Sequence, residues 1–238
     1  VCKRPFLVLV SLLAIGVIAT WGHLAYGQGA ITGEKVTCTD GQVAQYPCKD
    51  VDLLSFLPIA DLGGHTRTEL NDIWGWTDPQ TGIEYAIVGR TDGTAFVDVS
   101  TPTNPVYLGE LPTHAQSSSW RDVKVYDNHA YVVADNAGQH GMQVFDLTQL
   151  RSVTDPPVMF SETAHYNRFG EAHNVAINSE SGYAYVVGIT GSQSVPSSAN
   201  CGAGLHIIDL RTPAQPQFAG CFNDGSTGGF IAPGYTHD

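Results

Sequence analysis

The chain has 238 residues, with 11 Lys and Arg against 23 Asp and Glu, a formal net charge of -12 and a pI near 4.9. That balance excludes a basic nucleic-acid binder, and a hydrophobic content of 42% excludes a disordered chain. Only 14% of residues are charged, while 26 Gly and 13 Pro supply turns, the composition of a turn-rich β protein.

In chain order, the first feature is an export signal. Lys3 and Arg4 precede the apolar run from Pro5 to Gly22, and Ala25-Tyr26-Gly27 forms a small-x-small triplet. Residues 1–27 therefore read as a signal peptide cut after Gly27, or as an uncleaved N-terminal membrane anchor, since 18 apolar residues stand at the lower limit for a span. Either reading places the remainder outside the cytoplasm, secreted or at the cell surface. Cys2 belongs to this segment, which leaves Cys38, Cys48, Cys201 and Cys221 in an oxidising compartment. Four cysteines permit three pairings, and proximity in sequence favours Cys38 with Cys48 and Cys201 with Cys221. Zinc on these cysteines is the rival reading, but no Cys-x-x-Cys knuckle is present.

Residues 28–70 form a lead-in. Within it Leu53 to Gly63 resembles an outer strand without the three strands that should precede it, and the expectation is an open edge or irregular packing. From residue 71 the chain repeats. Three units, about 71–119, 120–172 and 173–234, align on Asp72, Asp122 and Asn174, at intervals of 50 and 52 residues. Such periods mark an array of supersecondary units. Each unit carries short runs rich in Val, Ile, Tyr and Phe: Asn71–Trp74, Tyr85–Gly89, Gly93–Ser100 and Asn104–Gly109 in the first; Arg121–Val125, Ala130–Ala134, Gly141–Thr148 and a run near Pro157–Phe160 in the second; His173–Ile177, Ala184–Gly188, Gly204–Arg211 and Pro216–Gly220 in the third. Four strands per unit give an all-β, propeller-type repeat of antiparallel blades. Residues 148–152 have room for one turn of helix. Asp98, Asp146 and Asp209 recur at the end of each third strand, where a carboxylate caps backbone N–H groups of the following turn. Tyr235-Thr236-His237-Asp238 starts a fourth unit, so the expectation is a truncated chain with three blades and an incomplete ring.

These motifs resemble the LVIVD repeat, a propeller-type repeat of exported proteins. Val51–Ser55, Asn71–Trp76, Gly93–Asp98, Trp120–Val125, His140–Leu147 and Gly234–Asp238 extend the likeness to the choice-of-anchor B family. The resemblance implies an exported or surface-attached repeat protein whose C-terminal anchor varies among lineages; it implies no particular reaction.

The chemistry is not that of a familiar hydrolase or nucleotide enzyme, because the sequence holds no Gly-x-Ser-x-Gly elbow, His-Glu-x-x-His helix or phosphate-binding loop. The candidate site follows from the repeat. Equivalent positions opening each first strand carry Asp72, Asp122, His173 with Asn174, and His237 with Asp238, and first strands line the axis of a propeller. These side chains are candidates to hold a divalent cation or a ligand at the channel mouth. The alternative is that they hydrogen-bond between blades. Glu171 is a candidate base if it faces the same cavity. Trp74, Trp76 and Trp120 are expected to pack between blades, residues 223–229 form a weak calcium-loop candidate, and His65, His114, His129 and His165 are assigned to surface or turns. Two functions remain: a scaffold binding a protein or glycan, and a metal-assisted hydrolase or lyase at the channel mouth. Neither involves nucleic acid, and a membrane enters only through the N-terminal segment or a C-terminal anchor.

Overall fold

Alternation of residue types along the strands dictates the architecture. A computed structural model of the chain describes residues 29–189, 201–226 and 234–238, so the signal segment and most of the Thr190–Cys201 insertion lie outside the described residues. The lead-in forms a small hairpin of β1 (Gln42–Val43) and β2 (Tyr46–Pro47), closed by the Cys38–Cys48 disulfide. The run from Leu53 pairs only through isolated bridges, Val36 with Leu53 and Ile31 with Phe56, before a 3-10 turn at Ile59–Leu62. No helix among the described residues is long and apolar enough to cross a membrane.

Three sheets follow. The first contains β3 (Leu70–Thr77), β4 (Glu84–Arg90), β5 (Gly93–Asp98) and β6 (Val106–Pro112), paired antiparallel in chain order. The second begins with β7 (Trp120–Tyr126), β8 (His129–Asp135) and β9 (Met142–Asp146), after which a 3-10 helix at Leu147–Ser152 fills the expected helical turn. Here the structure corrects the sequence expectation. The run near Pro157–Phe160 does not complete the second sheet: β10 (Val158–Met159) adds to the first, parallel to β6. The second sheet is completed instead by β11 (Ala164–Tyr166), antiparallel to β9. Gly109 permits this crossover, because its φ of +143° is poorly tolerated by other residues and a Cβ there would overlap the Val158 backbone. The third sheet runs β12 (Asn174–Asn178), β13 (Tyr183–Val187), β14 (Leu205–Asp209) and β15 (Gln217–Phe222), with the Cys201–Cys221 disulfide stapling the entry of β14 to β15. The described sheets do not close into a ring.

The middle sheet is buried on both faces. Ala130, Val132 and Phe145 point toward the first sheet and meet Ile87, Phe96 and Leu111, whereas Tyr131, Val133 and Val144 point toward the third and meet Val175, Val186 and Ile208. Period-two alternation thus feeds two separate cores. In the first core Phe96 stacks on Phe145 at 4.6 Å between centroids, and Phe160 meets both edge-on at 5.6 and 5.1 Å. In the second, the Tyr166 hydroxyl lies 2.7 Å from Nε2 of the buried His206, tying the outer strand of one sheet to the next.

The third-strand aspartates take the turn role read from sequence. Oδ1 of Asp98, Asp146 and Asp209 accepts from the backbone N–H two residues on, of Ser100, Thr148 and Arg211 respectively, at 2.9 Å in each case.

Candidate functional site

First strands β3, β7 and β12 stand side by side, so the repeat period brings their opening residues to one rim. Their carboxylates are engaged between sheets. Oδ2 of Asp72 accepts from the N–H of Val123 at 2.9 Å, and Oδ2 of Asp122 accepts from the N–H of Val175 at 2.7 Å. Each aspartate therefore caps the first strand of the following sheet, 51 or 53 residues along the chain. Lys124 bonds the other oxygen of Asp122, stands 3.8 Å from Asp72, and lies over the ring of Trp74 at 4.5 Å. Burial pushes the Asp122 carboxyl above its ordinary range, with the adjacent Asp72 adding to the rise and Lys124 and the Val175 N–H opposing it. This pair is built as a clasp between sheets in which two carboxylates share one lysine, the alternative weighed for these residues.

The neighbouring group differs. Nδ1 of His173 lies 2.9 Å from Oδ2 of Asp135, which orients the imidazole and leaves Nε2 toward Asp238 Oδ1 at 4.0 Å. The rings of His173 and His237 approach to 3.9 Å between centroids, and His237 Nδ1 bonds Asp238 Oδ2 at 2.7 Å. That bond holds the Asp238 carboxyl below its ordinary range. Ligating atoms of His173, His237 and Asp238 all lie within 4.8 Å of one another, a spacing that a cation can gather. Five of the six candidate residues thus divide into an aspartate clasp, Asp72 with Asp122, and a histidine–carboxylate group, His173 with His237 and Asp238; the sixth, Asn174, belongs to neither and lines the cleft beside them.

Between the two groups opens a cleft of about 310 Å³, lined by Asn71, Asp72, Trp120, Arg121, Asp122, His173 and Asn174. Arg121 contributes its backbone and stem, because its guanidinium turns inward: Nε donates to the Arg90 carbonyl at 2.5 Å, and Nη1 lies 3.0 Å from Nε2 of the fully buried His140. Burial lowers Arg121 to about 10 and His140 to about 4, so the imidazole is the neutral acceptor of that contact. Trp120 stands half exposed at the mouth. The tryptophan expectation therefore holds only for Trp76, which is buried and stacks on Tyr85 at 5.2 Å; Trp74 and Trp120 face solvent at 40% and 50% exposure. In β3 packing covers Trp76 near the strand's end and leaves Trp74 in its middle exposed, and Trp120 opens β7.

Glu171 accepts from the N–H of Gly138 at 3.1 Å and does not line this cleft. Asn223 Nδ2 donates to the Cys201 carbonyl, Asp224 Oδ1 accepts from the N–H of Ser226 in a local turn, and residues 227–229 of the loop lie outside the described residues. His65 and His129 take the surface and turn roles expected of them, His65 beside Asp92 and His129 on the Asp127 carbonyl. His114 also sits in a surface loop, whereas His165 lies partly buried in β11, and the two do not stand apart. Their rings stack at 3.5 Å, and Glu162 joins them. Their separation of 51 residues matches a repeat period in number only, because His165 faces Gln143 on β9 as Glu110 faces Ala95 on β5, so the two histidines do not occupy equivalent positions.

None of the curated proteins compared with the chain matches it. The family model of the LVIVD repeat matches residues 84–113 and 119–139. The first match covers β4, β5 and β6 and the second covers β7 and β8, in the two sheets that share the aspartate clasp. Of the candidate rim residues only Asp122 falls within a matched stretch.

Proposed function

We propose that the chain is an exported or cell-surface propeller-type repeat protein, of the choice-of-anchor B kind its motifs resemble, and that its first-strand rim binds a carbohydrate. The observation that carries this reading is the half-exposed Trp120 at the mouth of a polar cleft of about 310 Å³. A sugar presents an apolar C–H face and a rim of hydroxyls; an indole ring suits the first, and the amides of Asn71 and Asn174 with the imidazole of His173 suit the second. The volume falls at the low end of small-ligand pockets, room for one or two sugar rings. The clasped aspartates favour binding over turnover, since Asp72 and Asp122 are committed to backbone N–H groups and Lys124.

The test is a glycan array probed with the full chain, followed by calorimetric titration of the best ligand into wild type and Trp120→Ala. Loss of at least about tenfold in affinity, with an unchanged circular dichroism spectrum, is expected. Equal affinity in the variant, or recognition of protein ligands only, would overturn the reading. A metal-assisted hydrolase or lyase is the second reading, favoured by the convergence of His173, His237 and Asp238. Metal-dependent turnover of the bound sugar, abolished in His173→Ala, would select it.

A further inference from the structure

The outer strands of the first two sheets carry a second cluster, made of none of the rim residues. His114 follows β6 in the first sheet, whereas Glu162 and His165 flank the start of β11 in the second. Folding alone brings them together. His114 Nδ1 lies 2.9 Å from Glu162 Oε1, and ligating atoms of all three residues lie within 4.8 Å of one another.

Two of the three members, His165 and Glu162, are held from behind. Nε2 of His165 lies 2.7 Å from the carbonyl oxygen of His140. A carbonyl can only accept, so Nε2 carries the proton and Nδ1 keeps its lone pair, the tautomer a ligating imidazole needs. The other oxygen of Glu162 accepts from Gln143 Nε2 at 3.0 Å. Gln143 is buried, and the same nitrogen donates at 3.0 Å to the carbonyl of Pro112, two residues before His114. Both neighbours of that amide nitrogen are acceptors, so the orientation of Gln143 is fixed and with it that of the carboxylate. Gly141, at φ +62°, allows the close approach, because a Cβ there would meet His165 Nε2 at 2.9 Å.

We infer that His114, Glu162 and His165 form a binding site for a divalent transition metal of the zinc class, bridging the outer edges of the first and second sheets. Two imidazoles and one carboxylate select such an ion over calcium or magnesium, which prefer all-oxygen shells. Ligand atoms around tetrahedral zinc stand about 3.3 Å apart for bonds of about 2.0 Å, so a group whose ligating atoms lie within 4.8 Å needs a contraction of up to about 1.5 Å at its widest separation. The two rings, now 15° from parallel, must splay for their lone pairs to converge, and His114 is free to do this because it sits in a loop with 35% of its side chain exposed. Three protein ligands leave the fourth position to water, and loading the ion ties one repeat to the next.

The test is calorimetric titration of zinc chloride into the chelator-treated full chain carrying His173→Ala, which removes the rim cluster as a competitor. One equivalent is expected. Adding either His114→Ala or Glu162→Gln, both at partly exposed positions, should weaken binding at least about tenfold. The imidazole NMR resonances of His114 and His165 should shift on zinc addition in the parent and not in these variants. Absence of binding in the His173→Ala parent, or binding and shifts unchanged in both added variants, would overturn the inference.

Discussion

Asp122 tests the reading of the rim as a clasp. Its Oδ2 accepts from the buried N–H of Val175 at 2.7 Å, while its other oxygen bonds Lys124. Asp122→Ala leaves that N–H buried without an acceptor, which costs about 1–3 kcal/mol, and removes a partly buried ion pair worth at most about 1 kcal/mol more. A loss of about 2–3 kcal/mol is expected. Asp122→Asn behaves differently. Its amide oxygen still accepts from Val175 and its amide N–H2 suits the adjacent Asp72, so the hydrogen bond survives while the charge disappears. Burial raises the Asp122 carboxyl, so the folded state binds its proton before the unfolded state does as pH falls toward 3.8. The stability this confers is fully present below 3.8 and is lost as pH rises through the folded value. At neutral pH the ionised carboxylate is therefore the poorly tolerated form, and Asp122→Asn should fall within about 1 kcal/mol of wild type. Toward pH 4 wild type should gain on Asp122→Asn. The assay is urea unfolding followed by tryptophan fluorescence for all three chains at pH 7 and pH 4.5. Equal losses for Asn and Ala at pH 7 would refute the argument, because the charge rather than the Val175 hydrogen bond would then carry the stability.

Two further predictions concern the cores. Phe145→Ala removes a fully buried ring that stacks on Phe96 and meets Phe160, and should cost about 3–5 kcal/mol in urea unfolding; a loss below about 1 kcal/mol would mean that the first and second sheets do not share this core. His140 and His206 are buried and held down to about 4, mainly by burial, from an ordinary value of 6.5. Their depressed folded values mean stability that is complete above pH 6.5 and is lost as pH falls toward 4, up to about 3 kcal/mol for each group. His206→Phe should flatten part of that acid slope in thermal melts, and an unchanged slope would assign the loss to other groups. The slope runs opposite to the contribution of Asp122, so the Asp122 comparison is made as a difference between variants at each pH.

What could be read in the sequence is what neighbouring residues encode. Strand positions followed from two-residue alternation, and the match of the LVIVD repeat to residues 84–113 and 119–139 falls on strands expected from that alternation. Asp98, Asp146 and Asp209 showed their role because the N–H groups they cap lie two residues away. Both disulfides followed from short sequence separations, 10 and 20 residues. The rim was half legible. Periodicity placed Asp72, Asp122, His173, Asn174, His237 and Asp238 on one edge and left open whether they hold a ligand or hydrogen-bond between sheets; only the structure shows that Asp72 and Asp122 are spent on backbone groups of the next sheet.

The remainder depended on how sheets pack. Whether Val158–Met159 continues its own sheet or crosses to β6 turns on the space left above Gly109, which no local pattern records. Trp120 and Trp76 look alike in sequence, and only the extent of sheet overlap buries one and exposes the other. His114 and His165 each sit in an unremarkable stretch and do not occupy equivalent repeat positions; the relative placement of two sheet edges decided their meeting. Hydrogen bonds within a turn are set by a few dihedral angles, so sequence by itself determined the strands, their turns and their repeat. Contacts between sheets depend on translations and rotations summed over about fifty residues, and so the clasp, the cleft and the second cluster were settled only in the tertiary structure.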